Sequence, residues 1–206
     1  FTHCGVPNCI SPSLFQLMSV LRTWKESVTT EDVGHWLNRD QEHASYTAIE
    51  LPGKGIQDDV VTLLLSLAMR CTNLRAICLR QNEITDRCAV DMGTLLREAP
   101  ALTLLDLSRN KIGCKGGEAV GKTFLTMSAQ LKEVDELVLN LSNNNIEEKG
   151  IVGFASCLGD HRAVALGLRA TGCTDAALKE ILASKQALGE LDVALNPIGV
   201  KGLEDA

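Results

Sequence analysis

Short segments in which apolar and polar residues alternate recur along most of the chain. In residues 102–112, for example, Leu105 and Leu107 alternate with Asp106 and Ser108. This two-residue period is typical of a short strand with one buried face. After each such segment the apolar residues switch to a spacing of three and four, which is typical of an amphipathic helix. The pattern therefore predicts strands and helices in alternation.

The strand segments share a consensus with an asparagine at a fixed position. Three copies read L-x-x-[LI]-x-[LV]-x-x-N-x-I, at residues 74–84, 102–112 and 188–198. A further copy at 136–146 lacks the first leucine, and weaker copies at 46–56 and 163–173 have Lys54 and Thr171 in place of the asparagine. The asparagine position falls at 54, 82, 110, 144, 171 and 196, which gives intervals of 28, 28, 34, 27 and 25 residues.

A period of this length indicates stacked structural units. One strand and one helix cannot bury their apolar faces alone, so we expect neighbouring units to stack and form a parallel sheet covered by helices. The Asn side chains at 82, 110, 144 and 196 are expected to bond backbone groups that leave the strand ladder. Lys54 and Thr171 are expected to be weaker links. The long interval predicts an insertion around 127–136 that lengthens a helix or its return loop.

The recurring motif resembles that of leucine-rich repeat proteins, and its long period resembles their intracellular, ribonuclease-inhibitor-like subtype. The resemblance covers residues 45–206, with about six repeats, the last incomplete. It implies an α/β solenoid, a curved horseshoe with a parallel β-sheet on the concave face and helices on the convex face. Because the sequence starts at Phe1 and stops within a repeat, we expect it to be part of a longer chain.

Residues 1–44 do not match the repeat and are predicted to form a helical capping region. Within it, residues 11–21 predict a helix with Ser11 as N-cap and with Leu14, Leu17 and Leu21 on one face. Such a cap is expected because the first unit of a solenoid otherwise exposes apolar surface to water. Residues 22–44 are expected to continue it as helical or irregular structure.

The segment GGEAVGKT, residues 116–123, fits the phosphate-binding P-loop pattern. However, Gly116 lies six residues after Asn110, and Gly150 lies six residues after Asn144, so the glycine belongs to the repeat. We therefore favour a helix beginning near Gly116, where another group passes close, over a nucleotide site. A nucleotide site remains the alternative, because a predicted strand precedes the glycines and the next interval is 34 residues. It would require the glycine-rich segment to stay a loop.

Composition narrows the classes of ligand. A net charge of -6 without a basic run, and only 3% aromatic residues, disfavour nucleic acid as a partner. The longest apolar run, Val60–Met69, is shorter than the roughly 18 residues that span a bilayer, so no membrane insertion is expected.

His3, Cys4 and Cys9 offer an incomplete ligand set for zinc, and we predict no metal. The other cysteines are expected to be buried free thiols, which fits a reducing, cytoplasmic location.

The pattern points to binding rather than catalysis. No nucleophile, base and acid lie close in sequence, so we predict a non-enzymatic protein-interaction scaffold without cofactors. The alternatives are a structural subunit of a large ciliary or cytoskeletal assembly, and an activator of GTP hydrolysis like that of the Ran GTPase, whose family typically has more repeats and an acidic tail. The strand positions that alternate with the leucines are expected to face solvent and to bind the partner protein. The candidate contacts are Glu50, Arg80, Asp106, Asn140, Arg169, Glu190 and Asp192.

Overall fold

The strands of this chain form one sheet in sequence order. The computed structural model describes residues 19–21, 23, 25–38, 46–88, 91–92, 101–127, 137–156, 163–184 and 188–199. In this part of the chain, seven parallel strands each pair with the next along the sequence. They are β1 (Ser19–Leu21), β2 (Tyr46–Glu50), β3 (Ala76–Cys78), β4 (Leu104–Asp106), β5 (Leu137–Asn140), β6 (Ala163–Gly167) and β7 (Glu190–Asp192).

Helices connect the strands on one side of the sheet, as right-handed crossovers between parallel strands require. They are α1 (Thr30–Leu37), α2 (Asp58–Ala68), α3 (Cys114–Met127), α4 (Glu147–Ala155) and α5 (Asp175–Ala183). A short 3-10 helix, Asp86–Cys88, follows β3. α1 packs on α2, and α4 packs between α3 and α5. The fold is the α/β solenoid that the repeat predicts.

One aligned row of apolar side chains crosses every strand and forms part of the core. The register places these residues opposite one another in adjacent strands: Leu21, Ile49, Ile77, Leu105, Leu139, Leu166 and Leu191. All are buried except Leu191, which is half-buried in the last strand. Burial of each such side chain stabilises the fold by about 1.5–3 kcal/mol.

The first strand was not expected from the sequence. Ser19–Leu21 pairs in parallel with β2, and Leu21 lies opposite Ile49, so the prediction that a helix extends to Leu21 is wrong. The physical reason is that β2 offers an unpaired edge, and the paired strand places Leu21 in the core row. The rest of that predicted helix, residues 11–18, lies outside the described residues. The helix α1 confirms helical structure within 22–44, while a separate capping region at 1–44 stays a prediction.

Asparagine side chains join consecutive repeats. Oδ1 of Asn82 accepts hydrogen bonds from the amides of Lys54 (2.9 Å) and Ile56 (3.0 Å) in the preceding repeat. Its Nδ2 donates to the carbonyl oxygens of Leu51 (3.0 Å) and Leu79 (2.9 Å), which lie in two adjacent strands. Asn82 is buried, so it satisfies backbone groups that water does not reach.

The same bonds recur at the other asparagines. Nδ2 of Asn110, Asn144 and Asn196 donates both to its own strand and to the preceding one. Thr171 donates only to Leu168 of its own repeat at 2.7 Å, within the described part of the chain. Lys54 instead extends its ammonium group to the Lys25 carbonyl at 2.6 Å. Both substitutes make fewer bonds than an asparagine makes, as expected.

The P-loop-like segment is helical throughout, because it lies inside α3. A Cβ at Gly121 would lie 2.6 Å from Cα of Phe154, and one at Gly150 would lie 2.8 Å from Cα of Cys114. These glycines therefore let α3 and α4 approach backbone to backbone. At Gly116 the nearest group is the Asp86 carboxylate, so the prediction of a close neighbour is confirmed.

At 14 residues α3 is longer than α4 at nine, while residues 128–136 of the expected insertion lie outside the description.

A methyl group added at Gly121 is expected to destabilise the fold. Because the neighbouring atoms belong to the Phe154 backbone, Gly121→Ala should lower the free energy of unfolding by about 1–3 kcal/mol. Urea denaturation measures this change. Gly34→Ala in α1 is the matched control: nothing lies within 4 Å of its added Cβ, so stability should rise by about 0.5–1 kcal/mol. Equal effects at both glycines would contradict the close helix contact.

We call Asn82, Asn110, Asn144 and Asn196 the asparagine ladder. Replacement of one of them is expected to lower the stability of the protein more than replacement of a neighbouring asparagine outside the ladder. Asn144→Ala leaves the amide of Ile112 and the carbonyl of Leu107 without their partners, which should lower the free energy of unfolding by about 1–3 kcal/mol. The adjacent Asn145 is exposed, and among the described residues its side chain bonds only to Glu147, so Asn145→Ala should stay within about 0.5 kcal/mol of the wild type. Chemical denaturation of both variants tests the ladder.

Candidate functional site

The seven predicted contact residues lie on the helix-free, concave face of the sheet. We define the central row as the aligned residues Glu50, Cys78, Asp106, Asn140, Gly167 and Asp192. Arg80 and Arg169 lie two residues after the ends of β3 and β6, and Glu190 lies two residues before Asp192. Each alternates with a core leucine or isoleucine, so all seven point away from the helices. The structure thus brings the predicted residues together on one face.

Their exposure differs from the expectation. Arg169 and Glu190 are exposed, and Glu50, Arg80 and Asp192 are half-buried. Asp106 and Asn140, however, are only 2% and 4% exposed, so the expectation that these two face solvent is wrong.

The physical reason is crowding within the central row. Neighbouring parallel strands lie only about 4.8 Å apart, so the side chains of a row cover one another. A Cβ at Gly167, for example, would lie 2.6 Å from Oδ1 of Asn140. The surface accessible to a partner is therefore formed mainly by the arginines and by the two ends of the row.

Three residues of the central row also stabilise the ends of their own strands. The backbone amide of Ser108 donates to Oδ1 of Asp106 at 2.9 Å. The amide of Ser142 donates in the same way to Asn140 at 3.1 Å, and that of Ala194 to Asp192 at 3.0 Å. Each side-chain oxygen thus takes the place of a carbonyl oxygen of the neighbouring strand as acceptor for the amide two residues later. Sequence analysis missed this role, although an Asp or Asn at the same place in three repeats was a visible signal.

Asp106 and Ser108 carry polar atoms that the fold leaves unused. Within the described residues, Oδ2 of Asp106 and Oγ of Ser108 are buried without a hydrogen-bond partner. Burial raises the pKa of the Asp106 carboxyl above its ordinary value. Hydrogen bonding by Ser108, the charge of Arg80 and the nearby Asn140 act in the opposite direction but are weaker. The centre of the concave face therefore holds an incompletely compensated carboxyl group.

A cleft of about 540 Å³ lies on the other side of the sheet, between the start of α2 and the loop after β3. Its acidic groups already have partners inside the fold. Asp58 accepts bonds from the amide and hydroxyl of Thr85, and Glu83 pairs with Lys111. Burial, together with Asp58, raises the pKa of the Cys88 thiol at this cleft, which disfavours a reactive thiolate.

The described residues offer no candidate metal centre. They contain no group of three or more His, Cys, Asp or Glu side chains suited to hold an ion. His3, Cys4 and Cys9 lie outside the description. Cys71, Cys78, Cys88 and Cys173 are buried free thiols, and burial raises the pKa of Cys71 and of Cys173 to about 11. Among the helices described, none combines the length and the apolar character needed to cross a bilayer.

Comparison with known families agrees with the geometry. A family model described as Leucine Rich repeat matches residues 100–121 and 137–155. These two segments contain β4 with the first part of α3, and β5 with α4. No curated protein gives a significant match to the chain. The two matched repeats, the seven-stranded parallel sheet and the asparagine ladder together identify the chain as a leucine-rich repeat protein.

Proposed function

We propose that this protein is a non-enzymatic scaffold that binds a partner protein on the concave face of its sheet. Leucine-rich repeats generally form protein-interaction scaffolds. Our proposal adds which face of the sheet binds the partner and which residues contact it. The observation that carries it is the continuous central row, in which one polar or small residue from each of six strands lies in register. A parallel sheet without helices on this side presents a surface long enough to contact several parts of a partner.

The charges on this face support binding with a defined orientation. Arg169 is exposed and Arg80 is half-buried, and arginine is enriched among residues that dominate interface energetics. Exposed Glu190 and half-buried Asp192 lie on β7, next to the strand that leads to Arg169. A surface with both signs in fixed positions favours partners with the complementary pattern and penalises others.

The opposite side of the sheet is a weaker candidate. The acidic groups of its cleft are bonded to Thr85 and Lys111, so binding there would first break contacts that stabilise the repeat stack. On the concave face, by contrast, the exposed charge of Arg169 is available without loss of a repeat contact. We therefore place the partner on the concave face.

Reversal of one charge on each side of the protein tests this choice. We expect Arg169→Glu to weaken binding of a partner, isolated by affinity capture and then purified, by about tenfold or more, or about 1.4 kcal/mol. Lys179→Glu on α5 makes the same charge change on an exposed helix position and should leave the affinity within about twofold. Isothermal titration calorimetry gives both dissociation constants. Weaker binding by Lys179→Glu alone would place the interface on the helices instead.

The identity of the captured protein addresses the alternatives from the sequence. A small GTPase whose hydrolysis rises in the presence of this chain would favour the activator. A fixed set of cytoskeletal or ciliary subunits would favour a structural role. A single partner without turnover is the outcome expected for the scaffold.

A further inference from the structure

Two residues of the central row perform the same structural task with different chemistry. Asp106 and Asn140 lie opposite each other in β4 and β5. Each accepts a hydrogen bond through Oδ1 from the amide of the serine two residues later, Ser108 or Ser142. The neutral side chain of an asparagine is therefore sufficient to form this strand-end hydrogen bond. The second oxygen and the negative charge of Asp106 are not required by the strand-end bond.

The charge of Asp106 is unfavourable in the protein by itself. The residue is 2% exposed, and Oδ2 makes no hydrogen bond of normal geometry among the described residues, although Ser108, Asn140 and the charge of Arg80 partly stabilise the carboxylate. A buried carboxylate is costly unless it is paired and hydrogen-bonded. Asn at this position would keep the strand-end bond without that cost. A feature that the fold tolerates but does not need is a candidate for binding.

The surroundings of Asp106 match a group with several hydrogen-bond donors and a positive charge. Oδ2 and the nearby Oγ of Ser108 are two acceptors without partners in the described structure. The flanking residues of the central row, Cys78 and Asn140, are neutral. Arginine and lysine side chains carry five and three donors and no acceptor, so each can bond both atoms at once.

We propose that Asp106 is the anchor for an arginine or lysine side chain of the partner protein, with Ser108 as its second acceptor. This inference rests on the proposed docking at the concave face. The charge balance agrees, because the seven candidate residues include four acidic groups and only two arginines, within a chain of net charge -6. A cation that binds at Asp106 therefore meets a net negative face, while Arg80 and Arg169 favour acidic groups of the partner at their own positions.

Access to Oδ2 requires a local rearrangement, because the atom is covered in the free protein. Arg80 is a long, half-buried side chain whose charge acts on this carboxyl. An incoming cation repels Arg80 and replaces its interaction with Asp106. Rotation of interface side chains on binding is common, whereas the backbone of a preformed site moves little.

Selection of peptides provides a direct test with a defined probe. The whole chain is immobilised, and random dodecapeptides displayed on phage are selected for binding to it. We expect the enriched peptides to share an arginine or lysine at one position. Fluorescence anisotropy then measures the dissociation constant of one such peptide for the wild type and for Asp106→Asn, which keeps the bond to the Ser108 amide. The loss expected for Asp106→Asn is tenfold or more.

A double-mutant cycle identifies the contact. Replacement of the shared basic residue by a neutral analogue, citrulline for arginine or norleucine for lysine, should cause a similar loss. Because both changes remove the same interaction, the second should add little to the first. Glu180→Gln removes one exposed charge from α5 and should leave the affinity within twofold, which controls for net charge. The unfolding midpoint of Asp106→Asn should be unchanged or higher.

The outcomes separate the two proposals. If Arg169→Glu loses the peptide and Asp106→Asn binds it as well as the wild type, the anchor is wrong and concave docking stands. If neither variant changes the affinity, both proposals fail. Enriched peptides without a shared basic residue, or full additivity in the cycle, also overturn the anchor. Failure to enrich any peptide counts against docking itself.

Discussion

The ladder formed by Asn82, Asn110, Asn144 and Asn196, two of them buried and two half-buried, is the interaction on which the rest of this structure depends. Each side chain donates to two adjacent strands, and at Asn82 its oxygen also holds the amides of the preceding turn. These bonds satisfy backbone groups where the chain leaves the sheet, and they set the register between repeats. The register in turn aligns the core leucines and isoleucines, which one repeat cannot bury alone. The core and the asparagine ladder therefore stabilise each other.

The helical layer follows from a second constraint, the space between neighbouring backbones. Gly121 and Gly150 lie where α3 and α4 meet, and a side chain at either position would overlap the backbone of Phe154 or Cys114. Gly121, together with Gly116, also produces the resemblance to a P-loop. A short phosphate-binding pattern and a close helix contact both require residues without a side chain, so the residue types alone do not distinguish them.

The concave face shows how a repeat can combine stability with recognition. At the end of three strands, β4, β5 and β7, a side-chain oxygen completes the backbone hydrogen bonding, and either Asp or Asn supplies it. Because Asp and Asn both form this strand-end hydrogen bond, the choice between them is available to binding. Asp106 adds a buried charge at the centre of the face, while Arg169 offers an exposed one nearer to the C-terminal edge. In Asp106, folding thus uses Oδ1, and the proposed binding uses Oδ2.

The sequence by itself determined the repeat, the alternation of strand and helix, the asparagine ladder and the face on which all seven candidate residues lie. These properties depend on periodicity, which is local. Only the tertiary structure decided that Ser19–Leu21 is a strand, because the spacing of Leu14, Leu17 and Leu21 equally fits a helix and the decisive partner is β2. It also decided that Asp106 and Asn140 are buried, since alternation gives the direction of a side chain but not the closeness of its neighbours on adjacent strands.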